Sequence, residues 1–593
     1  MAWPRGHAWV SARWLHPALS GIAPVFARWR RIAPVSPAWV TSREFTYKMP
    51  KDIQQDLIDL VTRCLKQLEG AGNYSESIYL EFPTDHRFGD FSTNIALKLS
   101  KSFKRSPKII ATELAALLQQ EITESQLKKL VTQVKVEGAG FINFYLKEDY
   151  FYELLKTIII QGKVVYSSKV KEKRKVLIEF VSANPTGSLS VAHARQAAVG
   201  DCLANILSFI GFKVSREYYL NDEGNQINIL GSSVHLRLKE IKGEKIEFPE
   251  NYYQGDYIYD IARAADSQKI KEADLGNFAA GYILKIIKQE LIDFGVNFDC
   301  WYSQKTLAKS GKIETAFSRL KEKGYLYEQD GALWFKSTAF GDDKDRVIIK
   351  SDGSQTYLAP DIAYHEDKFD RGFDWLINLW GPDHHGYINR IKAAIEAFGH
   401  KPDELDVVIV QLATIFRNGQ PVQMSTRRGQ YITLREVLDE VGSDAARFFF
   451  LMRRTSSHLD FDLEIAKKHT AENPVFYVQY AHARICSILR SSPGKIKNNA
   501  DLSVLKEKEE LNLIKKLMEF TTTLKICQVT CDPYMLTVYL QELSENFHKF
   551  YDLHRVLDQD QALTSARLVL IKGAKIVLAQ GLVLLGISQP EKM

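Results

Sequence analysis

The sequence predicts a multidomain protein, α/β through most of its length and all-α at its end. Between Val176 and about residue 460, short apolar runs ("KVLIEFV", "RVIIKS", "WLINLWG", "DVVIVQL") alternate with longer helical patterns. That alternation is the signature of a parallel sheet with helical crossovers. From Asn473 to Met593 the strand-like runs vanish and a helical apolar period takes over, as in a bundle. A chain of 593 residues has room for three or four domains of about 150 residues each.

Residues 1–48 differ from all that follows. They hold five of the nine tryptophans and no regular apolar period, and Met49 is the first methionine after Met1. Three readings compete: an over-extended start with Met49 the initiator, an arginine-rich transit peptide, and a basic arm. Residues 49–147 read as a compact α/β unit. Helical segments at 51–69 and 107–130 flank "TDHRFGDFSTNIALKLSK", and "VEGAGFINFYL" closes the unit as strands around Gly138 and Gly140. Residues 163–175, containing "SSKVKEKRK", read as a solvated basic linker. The parallel α/β domain is expected over 176–460 and the helical bundle over 473–593.

Composition narrows the function classes. At 45% hydrophobic and 25% charged residues the chain is ordinary globular protein. No apolar run reaches the roughly 18 residues that span a bilayer, and the longest, Ile576 to Ile587, is interrupted by Gln580. No membrane partner is expected. Six scattered cysteines without a CxxC pair suit buried thiols in a reducing compartment, and no protein-bound metal is expected. The net charge of +6 sits in the first 48 residues, which hold seven of the 78 basic and one of the 72 acidic residues. The remainder carries 71 of each, so any nucleic-acid surface must be a local patch.

The most informative stretch is "VSANPTGSLSVAHARQAAVGD", Val181 to Asp201. A strand-like run meets a turn-forming Asn-Pro-Thr-Gly, then a small-residue helix start carrying His193. A helix N-terminus offers free N–H groups and a positive dipole end, so it can hold phosphate. Gly187 and Ala192 let a nucleotide approach the backbone, and His193 can donate to a phosphate oxygen. A tight turn with a packed histidine explains this stretch alone equally well. A second stretch, Asn418 to Leu463, holds a polar Met424-Ser425 loop, adjacent Arg427 and Arg428, then a helix.

Together the two stretches resemble the HIGH and KMSKS signatures of class I aminoacyl-tRNA synthetases. "EFVSANPTG", "YYLNDEGNQINILGSSV", "GPDHHGYINRI", "DEVGSDAARFFFLMR", "LDFDL" and "NPVFYVQYAHARI", in that order, resemble the bacterial type of arginyl-tRNA synthetase from about residue 50 to Met593. The resemblance implies a Rossmann-like catalytic domain, an N-terminal tRNA-contacting α/β domain and a helical anticodon-binding domain. It implies an ATP-dependent ligase that activates L-arginine and passes it to the 3′ end of tRNA(Arg), with Mg2+ arriving on ATP. Implied ATP-binding residues are Ser190, Ala192, His193, Gly381, Asp383, His384, Met424 and Ser425, with Ser190, His193, Arg427 and Arg428 carrying the chemistry.

Arginine brings a planar, permanently charged guanidinium with five donors. Asp361 matches the family position for a carboxylate on that group, Tyr357 an aromatic wall, and Glu179 and Asn184 positions that bind the amino acid. Glu179 in an apolar strand is costly to bury without a partner. In the last domain, Asn473 reads as an N-cap and Pro474 as the first helical residue. Val478, Ala481, Ile485 and Leu489 form an apolar stripe, with Tyr477, Tyr480 and Arg484 on a neighbouring face. Aromatics followed by arginine can stack on unpaired bases. Alone this face reads as a core edge; by resemblance it reads the anticodon, with Met593 nearby.

The signatures are altered. The first normally reads His-x-Gly-His and here reads Ser190-Val191-Ala192-His193; the second normally reads Lys-Met-Ser-Lys and here reads Gln423-Met424-Ser425-Thr426. Some arginyl enzymes place a lysine just upstream of the first signature, where this chain has Gly187. Three readings follow: an active ligase in which Arg427 and Arg428 compensate, a weak or inactive paralogue that binds tRNA or regulates, and a class I synthetase for another amino acid. The first is favoured by the intact arginine pocket residues. A monomer is expected, cytoplasmic, or organellar if residues 1–48 are a transit peptide.

Overall fold

The computed structural model describes residues 53–68, 78–83, 85–164, 174–422, 431–492 and 498–593. The N-terminal extension, and most of the basic linker, lie outside them. In the N-terminal unit α1 (Ile53–Leu65) buries Ile53, Leu57, Leu60, Val61, Cys64 and Leu65, the stripe its sequence spacing predicts. Then come β1 (Phe91–Thr93), α2 (Ile95–Phe103), α3 (Pro107–Glu124), β2 (Val131–Glu137) and β3 (Phe141–Leu146), in an antiparallel sheet of order β1-β3-β2. Gly140 makes the hairpin turn at φ +132, and a Cβ there would come within 3.0 Å of the Pro107 backbone. The following α4 (Glu148–Gln161) lies in the gap between the segments assigned from sequence, and packs on the C-terminal bundle.

The catalytic-domain elements are β4 (Lys175–Glu179), α5 (Val191–Ile210), β5 (Lys213–Leu220), α6 (Asn225–Ile241), α7 (Tyr257–Ser267), α8 (Leu275–Asp293) and β6 (Cys300–Ser303). There follow α9 (Gln304–Lys309), α10 (Lys312–Glu322), β7 (Leu326–Gln329), β8 (Ala332–Phe335), β9 (Arg346–Ile349), α11 (Leu358–Asp370), β10 (Trp375–Trp380), α12 (Ile388–Phe398) and β11 (Leu405–Ile409). The last are β12 (Ala413–Arg417), β13 (Gln420–Pro421), α13 (Leu434–Val441), α14 (Ser443–Leu451), β14 (Leu459–Asp462) and α15 (Leu463–Ala466). The main sheet is parallel, ordered β11-β10-β4-β5-β6. Its first strand in sequence, β4, is central, so the order reverses between β4 and β10; ligands of open α/β sheets bind beyond the strand ends at such a point.

One strand expected in this sheet is elsewhere. "RVIIKS" forms β9, which pairs antiparallel with β8 in a separate sheet of order β7-β8-β9. An isolated apolar run does not encode its partner, which is why sequence placed it with the others. The domain also starts at Lys175, inside the expected linker, and β14 runs past residue 460 to Asp462.

The bundle is α16 (Pro474–Ser491), α17 (Lys508–Thr530), α18 (Tyr534–Leu553) and α19 (Gln561–Leu585). The 25 residues of α19 are long and apolar enough to cross a bilayer, but α4, α5, α16, α17 and α18 pack against it. Arg447, fully buried on α14, joins bundle to catalytic domain. Its guanidinium donates to the Leu585 carbonyl (2.8 Å) and the Phe294 carbonyl (3.0 Å) and pairs with Asp201 on α5. The N-terminal unit docks on the bundle through Lys515 and Asp90 (2.6 Å), Thr522 and Gln54 (2.8 Å), and the Tyr152 hydroxyl on the Leu505 carbonyl (2.9 Å).

Candidate active site

The site forms where β4 ends. Val181 and Ser182 both take left-handed backbone, φ 70 and 39, unusual for a β-branched valine and a conformation that surrounding structure must enforce. The enforcing bonds are present. The Ser182 hydroxyl donates to Glu179 Oε1 (3.1 Å) and accepts from the Tyr219 N–H (3.1 Å), while the Tyr218 hydroxyl donates to the Ala183 carbonyl (2.8 Å). Further along, Tyr257 donates to the Thr186 carbonyl (2.7 Å) and Tyr431 to the Ser188 carbonyl (2.8 Å). The Leu434 N–H donates to the Leu189 carbonyl (2.7 Å), and Ser190 bridges Thr433.

These contacts tie the first signature to the segment that follows the second. They also account for Gly187. A Cβ there would lie 3.2 Å from the Tyr431 hydroxyl and 3.4 Å from that of Tyr257, so a lysine would press on the groups that hold the turn. Met424, Ser425, Arg427 and Arg428, with Gln423 and Thr426, lie outside the described residues.

Ser190 is the N-cap of α5. Its backbone N–H donates to His193 Nδ1 (3.2 Å), and its hydroxyl lies 3.2 Å from the same nitrogen. An Nδ1 that accepts leaves the hydrogen of the neutral ring on Nε2. Burial holds the ring down to about 4, so at pH 7 His193 is a neutral Nε2–H donor at the end of a helix dipole. Serine at position 190 thus buttresses the imidazole. Ala192 is half-buried beside it.

After β10 the chain turns into the short 3-10 helix Pro382–Tyr387, capped by Gly381. A Cβ on Gly381 would come within 2.6 Å of Asp383 Oδ1. Asp383 and His384 are exposed, 3.5 Å apart.

The candidate arginine residues separate into two kinds. Asp361, on the first turn of α11, accepts from the Tyr387 hydroxyl (2.8 Å), and burial, with nearby Glu179 adding to it, pushes its carboxyl up to about 6. Among the described residues it has no cation of its own. Glu179 already has one: Lys368 donates to its Oε2 at 2.6 Å. Asn184 donates to Gln226 Oε1 (2.7 Å). Tyr357 lies one turn before Asp361 and is 81% exposed, so the expected aromatic wall is not closed here. Sequence reasoning missed Tyr387, Gln226, Lys368 and Tyr431. Tyr387 directly follows "GPDHHG" and was within reach; Lys368 sits in "HEDKFD", which reads as a solvated charge run.

In the bundle Asn473 caps α16 as expected, its side chain accepting from the Val475 N–H (3.2 Å), and Val478, Ala481 and Ile485 are buried. Arg484 lies 5.3 Å over the Tyr480 ring and 4.4 Å over that of Tyr551. His548, from α18, packs against both Tyr477 (4.9 Å) and Tyr480 (6.0 Å). Phe476 stacks on Tyr480, and with Lys468, His469, Gln479 and Met593 it lines a cavity of about 590 Å³. The four anticodon candidates therefore share one neighbourhood.

Three family models match in order. "Arginyl tRNA synthetase N terminal domain" covers residues 51–146, "tRNA synthetases class I (R), catalytic domain" covers 155–486, and "DALR anticodon binding domain" covers 478–593. The chain belongs to the arginyl-tRNA synthetases. An "Arginine--tRNA ligase" of Geobacter sp. (strain M21) is 46% identical over 532 residues, 87% of this chain and 95% of its own. That of Listeria monocytogenes serotype 4b (strain F2365) is 44% identical over 559 residues, 91% of this chain and 100% of its own. A solved putative arginyl-tRNA synthetase from Campylobacter jejuni aligns with a TM-score of 0.70 at 35% identity, covering 76% of this chain and all of that one. The Thermus thermophilus arginyl-tRNA synthetase shares the fold at a TM-score of 0.74 and 20% identity, covering 91% of this chain and all of that one. In this synthetase the catalytic-domain match begins inside α4, so the helix left unassigned by sequence straddles the junction with the N-terminal domain.

Proposed function

We propose that the chain is an arginine–tRNA ligase whose altered signatures remain catalytic. The observation that carries this is a pair of features beside the reversal point of the sheet: a helix N-terminus bearing His193, and Asp361, a half-buried carboxylate that accepts from Tyr387 and has no cation of its own among the described residues. One end suits phosphate and the other a guanidinium. The arginine carboxylate attacks the α-phosphorus of ATP, forming an O–P bond as the bond to pyrophosphate breaks. A terminal ribose hydroxyl of tRNA(Arg) then attacks the arginyl carbonyl and AMP leaves.

His193 donates its Nε2–H to phosphate oxygen as charge develops there, on the same helix end that offers free N–H groups. Ser190 and Ala192 shape that helix end, and Gly381, Asp383 and His384 border the nucleotide. Met424 and Ser425 bring the second loop to it, with Arg427 and Arg428 clamping phosphate in place of the missing lysines. Mg2+ enters on ATP. Asp361 and Tyr357 hold the guanidinium end, and Glu179 and Asn184 the amino-acid end. Tyr477, Tyr480, Arg484 and Met593 meet the anticodon, and the N-terminal domain the outer corner of tRNA(Arg).

The reading of a weak or inactive paralogue has less support. The carboxylate assigned to arginine accepts from Tyr387, and the turn that leads to His193 is held by the Tyr218, Tyr257 and Tyr431 hydroxyls. Purified chain with arginine, ATP, magnesium and tRNA(Arg) is expected to charge the tRNA. Each single alanine at Arg427 or Arg428 is expected to slow charging roughly 10- to 100-fold, the value of one charge-assisted hydrogen bond in a barrier, with little change in tRNA affinity. A folded, tRNA-binding sample that charges nothing would refute the assignment; arginine variants with wild-type rates would refute the compensation.

A further inference from the structure

The inward face of α11 carries charge where a helix packed on a sheet normally carries apolar residues. Lys368 is 0% exposed. Its ammonium donates to Glu179 Oε2 on β4 (2.6 Å) and Asn378 Oδ1 on β10 (3.0 Å), and lies 4.3 Å over the Tyr364 ring. Asn378 Nδ2 is 2.8 Å from His365 Nε2, and His365 Nδ1 is 2.8 Å from the Asp361 carbonyl. A carbonyl only accepts, so Nδ1 carries the ring hydrogen and Nε2 accepts from Asn378. Burial keeps His365 neutral, its pKa well below the ordinary value. A fully satisfied chain therefore runs from the lysine to the backbone of the residue assigned to the guanidinium.

The surrounding charges pair off. Glu217 on β5 accepts from both terminal Arg371 nitrogens (2.6 and 2.8 Å) and from the Tyr364 hydroxyl (2.7 Å), and Arg371 with the nearby Lys368 holds its carboxyl below the ordinary value. Glu179 takes Lys368. Tyr219 from β5 and Tyr387 face Asp361 as neutral groups. Asp222, also near Tyr219, is held by the Ser303 hydroxyl (2.7 Å) and the Lys305 N–H (3.1 Å), and Arg390 lies over the Tyr387 ring (5.3 Å). Among the described carboxylates that border Lys368 itself, Asp361 has no ion pair.

We propose that Lys368 is a positioning residue that sets the charge of the arginine pocket: by engaging Glu179 it keeps that carboxylate from adding to the charge of Asp361, which is left to meet the guanidinium. An isolated buried ion pair is weak evidence for a stabilising role, since apolar replacements often serve as well. A pair that fixes the net charge beside a cation site has a functional reason to be there. Without Lys368, Glu179 faces Asp361 uncompensated, and two carboxylates sharing one site resist ionising together. Asp361 would then hold its proton at neutral pH and lose the guanidinium.

The inference rests on the proposed arginine pocket, and one measurement separates the two: calorimetric binding of L-arginine to the full chain between about pH 5.5 and pH 8.5. Wild-type protein that binds no arginine anywhere in that range overturns the pocket itself. Given wild-type binding, Lys368→Met is expected to raise the midpoint of the pH dependence by about one unit and to weaken binding about tenfold at neutral pH, with recovery toward pH 8.5. Glu179→Gln, which leaves the lysine uncompensated, is expected to move the midpoint the opposite way. The double variant is expected to return it. A merely loosened pocket would hydrate Asp361 and lower the midpoint, the opposite of the rise expected for Lys368→Met. If Lys368→Met fails to fold by thermal unfolding, Glu179→Gln and the double variant still decide the matter. An unmoved midpoint in Glu179→Gln, or in a folded Lys368→Met, overturns the role.

Discussion

Asp361 shows at the level of one side chain how a binding group strains the protein that carries it. Folding raises its carboxyl from 3.8 to about 6, chiefly by burial. Between those values the folded chain holds a proton that the unfolded chain has released, so this group lowers stability as pH rises through that window. At neutral pH the empty protein bears the whole cost, and a bound guanidinium offsets it. Asp361→Asn is therefore expected to raise the melting temperature of the ligand-free protein by roughly 2 °C, while abolishing the further rise that added arginine gives. A lower melting temperature, or a retained arginine response, would contradict this. Asp361 was legible because its sequence context carries a long motif. Lys368 was not, because its meaning depends on Glu179 and Asn378, brought to it by strands remote in sequence.

At the level of elements, α5 is set against the exit of β4 by a glycine. A Cβ on Gly200 would lie 2.3 Å from Cγ of the fully buried Phe180, too close for any rotamer adjustment of a packed ring. Gly200→Ala is expected to push the helix outward and cost roughly 1–3 kcal/mol in urea unfolding, the range for an overpacked core. Because α5 carries His193 in its first turn, ATP affinity is expected to fall with it. Helices with an apolar stripe, such as α1 and α16, were readable from spacing alone. The inward face of α11 was not: in "LAPDIAYHEDKFD" the charges look solvated, yet Tyr364, His365, Asp367 and Lys368 are buried because β4, β5 and neighbouring helices supply their partners. β5 escaped for a related reason, since "KVSREYYL" mixes inward polar residues such as Glu217 with apolar ones.

Across the whole molecule, the buried Asp90 is one of the polar groups that tie the N-terminal domain to the bundle. One of its oxygens accepts the Leu146 N–H (2.7 Å) and the other pairs with Lys515 on α17. The "FGDFS" stretch thus owes its aspartate to architecture. Lys515→Ala is expected to loosen the joint and raise the KM for tRNA roughly threefold to tenfold, about 1 kcal/mol of lost positioning, while the arginine Kd stays put. Charging kinetics and calorimetry on the same sample check both, and an unchanged KM would mean that the joint is immaterial to tRNA.

The Arg447 guanidinium has a consequence in time. Its partners are Asp201, the carbonyl of Phe294 and the carbonyl of Leu585. On the ribosome the first two emerge before it and the third more than a hundred residues later. Until α19 has left the exit tunnel, a donor destined for complete burial lacks its acceptor, at a cost of order 1–3 kcal/mol. The domain that activates the amino acid is thus not finished when its own last residue has been made. A chain released before α19 would leave Arg447 with two of its three partners.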